Sequence, residues 1–327
     1  MSNKGSTRRP ALSQFWALIL ILLIVGWATS ACSDKQKSES NKPLIKLAAN
    51  YWESSELNAA VAKIILEEEM GYPVEIVLID ENEQWQMLAN GDLHACLEVW
   101  ASGHAEPFQK YIEQDQTVEY GGLLGPMGKI GWYIPDYLLQ QHPELVTWEG
   151  LKDPQNAALF ATAETGNKGR FLAGDPGWVQ YDEDIIRNLG LDLQVVRLGS
   201  EEALLDALGA AYDKQEPILF YFWTPHWVHM LYNLVPVTLP PYSEECYAQA
   251  QTGGVDCDYP PDELYKIFWA GLKNYAPDAY QFLKAFNYTN VDQTVLMAMV
   301  QVDGKTAEEA ARAWVEENKS VWEPWIP

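Results

Sequence analysis

The strongest constraint on this chain is an alternation of apolar periods that occurs twice. Leu44 to Ala49 is a short apolar run. Leu57, Ala60, Val61, Ile64 and Ile65 then recur at helical spacing behind Ser54 or Ser55 and stop at Gly71. Val74 to Ile79 reads as a second strand, Glu83 to Ala89 as a short helix and Leu93 to Val99 as a third strand. This βαβαβ order is the half-unit of a doubly wound sheet. The order returns with a strand over Ala158 to Ala163, a helix over Glu183 to Leu189 and a strand over Leu193 to Leu198. A helix over Glu201 to Tyr212, capped by Ser200, and a strand over Ile218 to Phe222 complete it. A chain of 327 residues has room for two such lobes. The last third is helical, with Thr306-Ala307-Glu308-Glu309 forming a capping box ahead of Ala310, Ala313 and Trp314. The fold class is α/β.

Both units end on a strand followed by tryptophan, Trp100 after the first and Trp223 after the second. Ligands of open α/β sheets bind outside the carboxyl ends of strands, so both indoles are expected at a crevice between lobes. A third, Trp178, closes the turn Gly174-Asp175-Pro176-Gly177-Trp178. Indole faces suit a quaternary ammonium, which carries positive charge and has no N–H to donate. The 14 tryptophans in a chain 12% aromatic point to a folded, ligand-contacting protein. A formal charge of −24 argues against nucleic acid, which needs clustered Lys and Arg.

Lys4, Arg8 and Arg9 precede an uncharged stretch from Pro10 to Ala31, which reads as an export leader over residues 1–31. Thr29-Ser30-Ala31-Cys32 resembles a bacterial lipobox, with Thr29 where that motif usually has Leu. Cys32 is therefore the expected lipidation site, and 32–43 a flexible tether. The other reading of the apolar run is an uncleaved membrane anchor. Either places the folded part outside the cytoplasm, periplasmic or at the cell surface. Cys246 and Cys257 bracket a polar loop and are expected to pair in that oxidising setting, whereas Cys96 reads as a small buried hydrophobe. No metal site is expected, since neither CxxC nor HExxH spacing occurs.

Trp100-Ala101-Ser102-Gly103-His104, the Asp175-Pro176-Gly177-Trp178 turn and Phe222-Trp223-Thr224-Pro225-His226-Trp227 resemble, in order and spacing, the glycine betaine-binding proteins of ABC importers. The resemblance runs from about Leu44 to Trp325. It implies a two-lobed periplasmic-binding-protein-like fold (type II solute-binding protein), each lobe a sheet flanked by helices. Residues 44–128 with 265–327 would form lobe 1 and 129–264 lobe 2. It also implies that Trp100, Trp178 and Trp223 box a trimethylammonium group, while His104 and the backbone N–H groups of Val179 and Gln180 hold a carboxylate. The sequence departs from one branch of that family by carrying Gly174 and Gln180 where the branch has a cysteine pair around the turn. Trp52, Asp175 and His226 are further candidates for the pocket edge.

The implied partners are a small-molecule ligand, the transmembrane subunits of an ABC transporter and a membrane reached through the lipid, with no cofactor. An enzyme has little support: there is no nucleophile elbow or phosphate loop, and Gly125 to Gly131 lacks dinucleotide-motif spacing and reads as a chain crossover. A sugar- or other small-solute-binding protein using stacked Trp, choline or carnitine specificity, and a structural envelope lipoprotein remain as alternatives.

Overall fold

The structure is a computed structural model in which residues 42–327 are described; the leader, Cys32 and the tether to residue 41 lie outside them. Nine strands form one sheet: β1 (Ile45–Ala49), β2 (Val74–Leu78), β3 (Ala95–Val99), β4 (Val118–Pro135), β5 (Gly169–Ala173), β6 (Leu193–Arg197), β7 (Phe220–Thr224), β8 (Leu234–Pro236) and β9 (Pro261–Trp269). Their order is β2-β1-β3-β9-β4-β7-β5-β6, with β8 paired to β4.

Two parallel triplets stand at the ends of this order. In one, β1 pairs with β2 and β3; in the other, β5 pairs with β6 and β7. These are the two βαβαβ units of the sequence, and their strands are apolar because helices cover both faces of a parallel sheet. Between them run β4 and β9, antiparallel to each other and to the triplet strands they border. The two halves thus share one sheet through an antiparallel pair.

The helix Glu53–Glu68 buries Leu57, Val61, Ile64 and Ile65 and packs against the helix Ala307–Glu317, whose inner face carries Ala310, Ala311, Trp314 and Val315. The capping box at Thr306 is formed: its hydroxyl accepts from the Glu309 N–H, and the Glu309 carboxylate accepts from the Thr306 N–H. Ser200 likewise caps Glu201–Lys214 by accepting from the Ala203 N–H. The first helix differs from expectation. It starts at Glu53 with Trp52 as an uncapped N-terminus, because the two serines are engaged elsewhere: Ser55 Oγ accepts from the Asn50 N–H, and Ser54 Oγ donates to Glu98.

Two expected strands also move. Ala158 to Ala163 is not a strand: Asp153 caps a short helix at Pro154–Ala157, which runs into a 3-10 turn over Ala158–Phe160, and β5 begins at Gly169. The strand expected over Ile218 to Phe222 lies at Phe220–Thr224, so Trp223 is inside β7 instead of after it.

Candidate binding site

The indole-lined cavity draws most of its walls from the carboxyl ends of strands. Trp52 follows β1, Glu81 follows β2, Trp100 follows β3 and Trp178 follows β5, while Tyr221 and Trp223 lie within β7. Ser102, Gly103, Ile130 and Val179 complete the lining. The cavity holds about 40 Å³, against the roughly 10–15 Å³ that one water needs.

The indoles meet as perpendicular walls. Trp178 is the common member, 5.3 Å from Trp223 at 88° and 6.4 Å from Trp52 at 84°, centroid to centroid. Tyr221 adds a fourth side at 6.2 Å from Trp178. Two glycines allow this approach. A Cβ at Gly174 would collide with the Trp178 ring, and one at Gly128 with the Trp100 ring.

Behind the walls lies Glu98, fully buried in β3. Its Oε1 accepts from Trp52 Nε1 at 2.9 Å, Trp100 Nε1 at 3.0 Å and Ser54 Oγ at 2.9 Å, and its Oε2 from the side-chain amides of Asn58 and Gln293. Burial raises its carboxyl above the usual range, while the bonds from Trp52, Trp100 and Ser54 pull the other way. The carboxylate locks the two indoles of this half by their polar edges.

His104 is 1% exposed, with Nε2 at 2.8 Å from Glu81 Oε2. The Val179 N–H donates to the other oxygen, Glu81 Oε1, at 2.8 Å. The structure therefore brings His104 and the Val179 amide together around a carboxylate that belongs to the chain itself. Gln180 lies beside them, and its side-chain amide donates to the Asp175 carbonyl.

Asp175, His226, His104 and Gln180 all stand outside the lining. The Asp175 carboxylate accepts from the Gly177 N–H at 2.7 Å and ties the turn that presents Trp178. His226 is buried behind Trp223, with Nε2 2.8 Å from Glu201 and Nδ1 accepting from the Val228 N–H. Trp52, the other edge candidate, is a full wall. A disulfide joins Cys246 to Cys257, and Cys96 is a buried free thiol whose pKa burial pushes up to about 12.

Sequence reasoning missed Glu81, Glu98 and Tyr221. Glu98 had a signal, a lone charge inside an apolar strand two residues before a loop tryptophan. Glu81 had none, since Asp80-Glu81-Asn82-Glu83 reads as a solvated turn.

The family profile described as the substrate-binding domain of ABC-type glycine betaine transport systems matches residues 43–317. The chain belongs to this family. Its members are solute-binding proteins, not enzymes, and they work outside the cytoplasm. No helix among the described residues is long and apolar enough to cross a membrane. This solute-binding protein is 30% identical over 298 residues to a trimethylamine N-oxide-binding protein of Pelagibacter ubique, covering 88% of this chain and 92% of that one. It is 21% identical to the glycine betaine/proline betaine-binding periplasmic protein of Salmonella typhimurium, covering 79% and 82% of the two chains. Its fold matches lactococcal OpuAC, closed around glycine betaine, with a TM-score of 0.70 at 24% identity over 88% of this chain and all of that one. A choline-binding protein of an ABC transporter, in complex with choline, matches with a TM-score of 0.69 at 18% identity, over 86% and 91% of the chains.

Proposed function

We propose that this protein captures a small trimethylammonium solute in the indole box and presents it to an ABC importer, tethered to a membrane by lipid on Cys32. The class includes glycine betaine, proline betaine, carnitine, choline and, given the relative named above, trimethylamine N-oxide. One observation carries the reading: Trp52, Trp100, Trp178 and Trp223 line a single cavity whose lining contains no Lys or Arg. Desolvated cation–π contacts are worth about 2 kcal/mol each, so three or four approach the roughly −8 kcal/mol of a micromolar complex. A sugar would need a ring of hydroxyl partners, whereas the lining offers Glu81 and Ser102 as its only polar side chains apart from the indoles and Tyr221.

In this reading residues 44–128 and 265–327 form one lobe and 129–264 the other. Trp52 and Trp100 then face Trp178 and Trp223 across the crevice, and closure assembles the box. The test is calorimetric titration of the mature protein with tetramethylammonium and the solutes above. Micromolar binding of at least one is expected. Absence of binding across the set, with the protein folded, removes the reading.

A further inference from the structure

Resting on the indole-box reading, we infer that Glu81 is the specificity-determining residue and that the solute is a methylated ammonium compound without a carboxylate. A betaine carboxylate needs hydrogen-bond donors, and besides the Tyr221 hydroxyl those beside Glu81 are the Val179 N–H in the lining and His104 Nε2 just outside it. Each of the latter two already meets one oxygen of Glu81 at 2.8 Å. Glu81 is 7% exposed and lines the cavity together with the indoles, so its carboxylate is part of the site wall.

The charges point the same way. No Lys or Arg lines the cavity, and a second carboxylate would sit beside Glu81 with the same two donors to share. Like charges in a dry pocket repel far more than in water. A plain cation has the opposite effect, because it meets the indole faces and gives the buried Glu81 a counter-charge. Glu98 adds a second acidic group behind Trp52 and Trp100. The chain thus supplies internally the anion that a betaine would bring with it.

Two ligand chemistries fit this wall. A choline hydroxyl donates to Glu81 directly, whereas an N-oxide oxygen draws on the His104 and Val179 donors in competition with Glu81. Calorimetry with choline, trimethylamine N-oxide, glycine betaine and tetramethylammonium separates them. The native protein is expected to bind choline or trimethylamine N-oxide at least tenfold more tightly than glycine betaine. Glu81→Gln and Glu81→Ala are each expected to move that ratio at least tenfold toward glycine betaine, with residual tetramethylammonium binding reporting that the box is intact.

A native preference for glycine betaine, or a ratio that neither variant moves, overturns the role of Glu81 while leaving the box in place. Failure of tetramethylammonium and every other compound to bind the native protein overturns both.

Discussion

The indole N–H groups of Trp52 and Trp100 end on one oxygen of Glu98, which fixes the part of each ring that can face the cavity. The polar edge is held in the core, and apolar ring surface is left for a ligand. Trp178 has no such anchor; its Nε1 is buried without a hydrogen-bond partner among the described residues, and its position depends on the Asp175 turn and on Gly174. As the ring shared by the perpendicular pairs, it should carry the largest single share of affinity. Trp178→Ala is expected to weaken tetramethylammonium binding at least tenfold, in line with about 2 kcal/mol for one desolvated cation–π contact. Calorimetry on a variant with unchanged far-ultraviolet circular dichroism checks this, and an unchanged affinity takes Trp178 out of the box.

A second residue-scale prediction concerns Glu53. Its backbone N–H donates to Glu201 Oε2, its Oε1 accepts from Gln301, and Glu56 and the His226–Glu201 pair are its charged neighbours. Burial, reinforced by the charges of Glu201 and Glu56, pushes its carboxyl up to about 8, with the Gln301 bond opposing. The folded state therefore holds a proton that the unfolded chain releases near pH 4.5. The resulting stabilisation is complete below that pH and is lost as pH rises through about 8. The melting temperature of the native protein relative to Glu53→Gln should fall between pH 5 and pH 9. A difference that stays flat across that range contradicts the assignment.

At the scale of elements, β4 decides how the walls are spaced. It pairs with β9 along one side and β7 along the other, with register shifts between Tyr120 and Gly122 and between Leu123 and Met127. Gly128, just beyond the second shift, faces the Trp100 ring closely enough that a Cβ would collide with it. Gly128→Ala is expected to displace that ring and weaken ligand binding several-fold with little change in β-sheet content. Unaltered affinity would show that the ring has room to yield.

Five of the six strands of the two parallel triplets were legible in the sequence because each carries its own apolar period, whereas β5 was not. The strand expected over Ala158 to Ala163 was misread because the apolar run Ala157 to Ala161 suits a turn as well as a strand. Gly125 to Gly131 read as a crossover, which describes where the segment goes but not that it lies inside an 18-residue strand. Trp100 and Trp223 were expected at the crevice from their places near strand ends, whereas Trp178 rested on the family resemblance and Trp52 was only a candidate for the pocket edge. Glu81 was hidden because its role arises from contacts with residues 23 and 98 positions away, which no local pattern records.

For the whole molecule, the cavity draws its walls from both triplets, and neither triplet encloses a ligand alone. Ligand should therefore favour the closed arrangement. A saturating solute at a hundred times its Kd adds about 2.7 kcal/mol to the stability of the closed form, a rise of roughly 5 °C in melting temperature for a protein of this size. Small-angle scattering should show compaction on addition of the same solute, and Trp100→Ala should reduce it by removing one half's wall. Full compaction in that variant would mean that Trp100 does not face the opposite half.

The chain's path through the sheet has a consequence for the order in which its contacts can form. The segment from β5 to β8 is contiguous, and the strand pairing of its triplet involves only residues 169–224 and the preceding β4, with Tyr259 adding a later hydrogen bond to Asp182. The β1–β3 triplet is in a different position. Its border strand is β9, and the helix Glu53–Glu68 packs against Ala307–Glu317, more than 230 residues downstream. A chain threaded from its N-terminus can thus complete its middle before its beginning. The β1–β3 half waits, with apolar surface uncovered, until residues 307–317 have arrived.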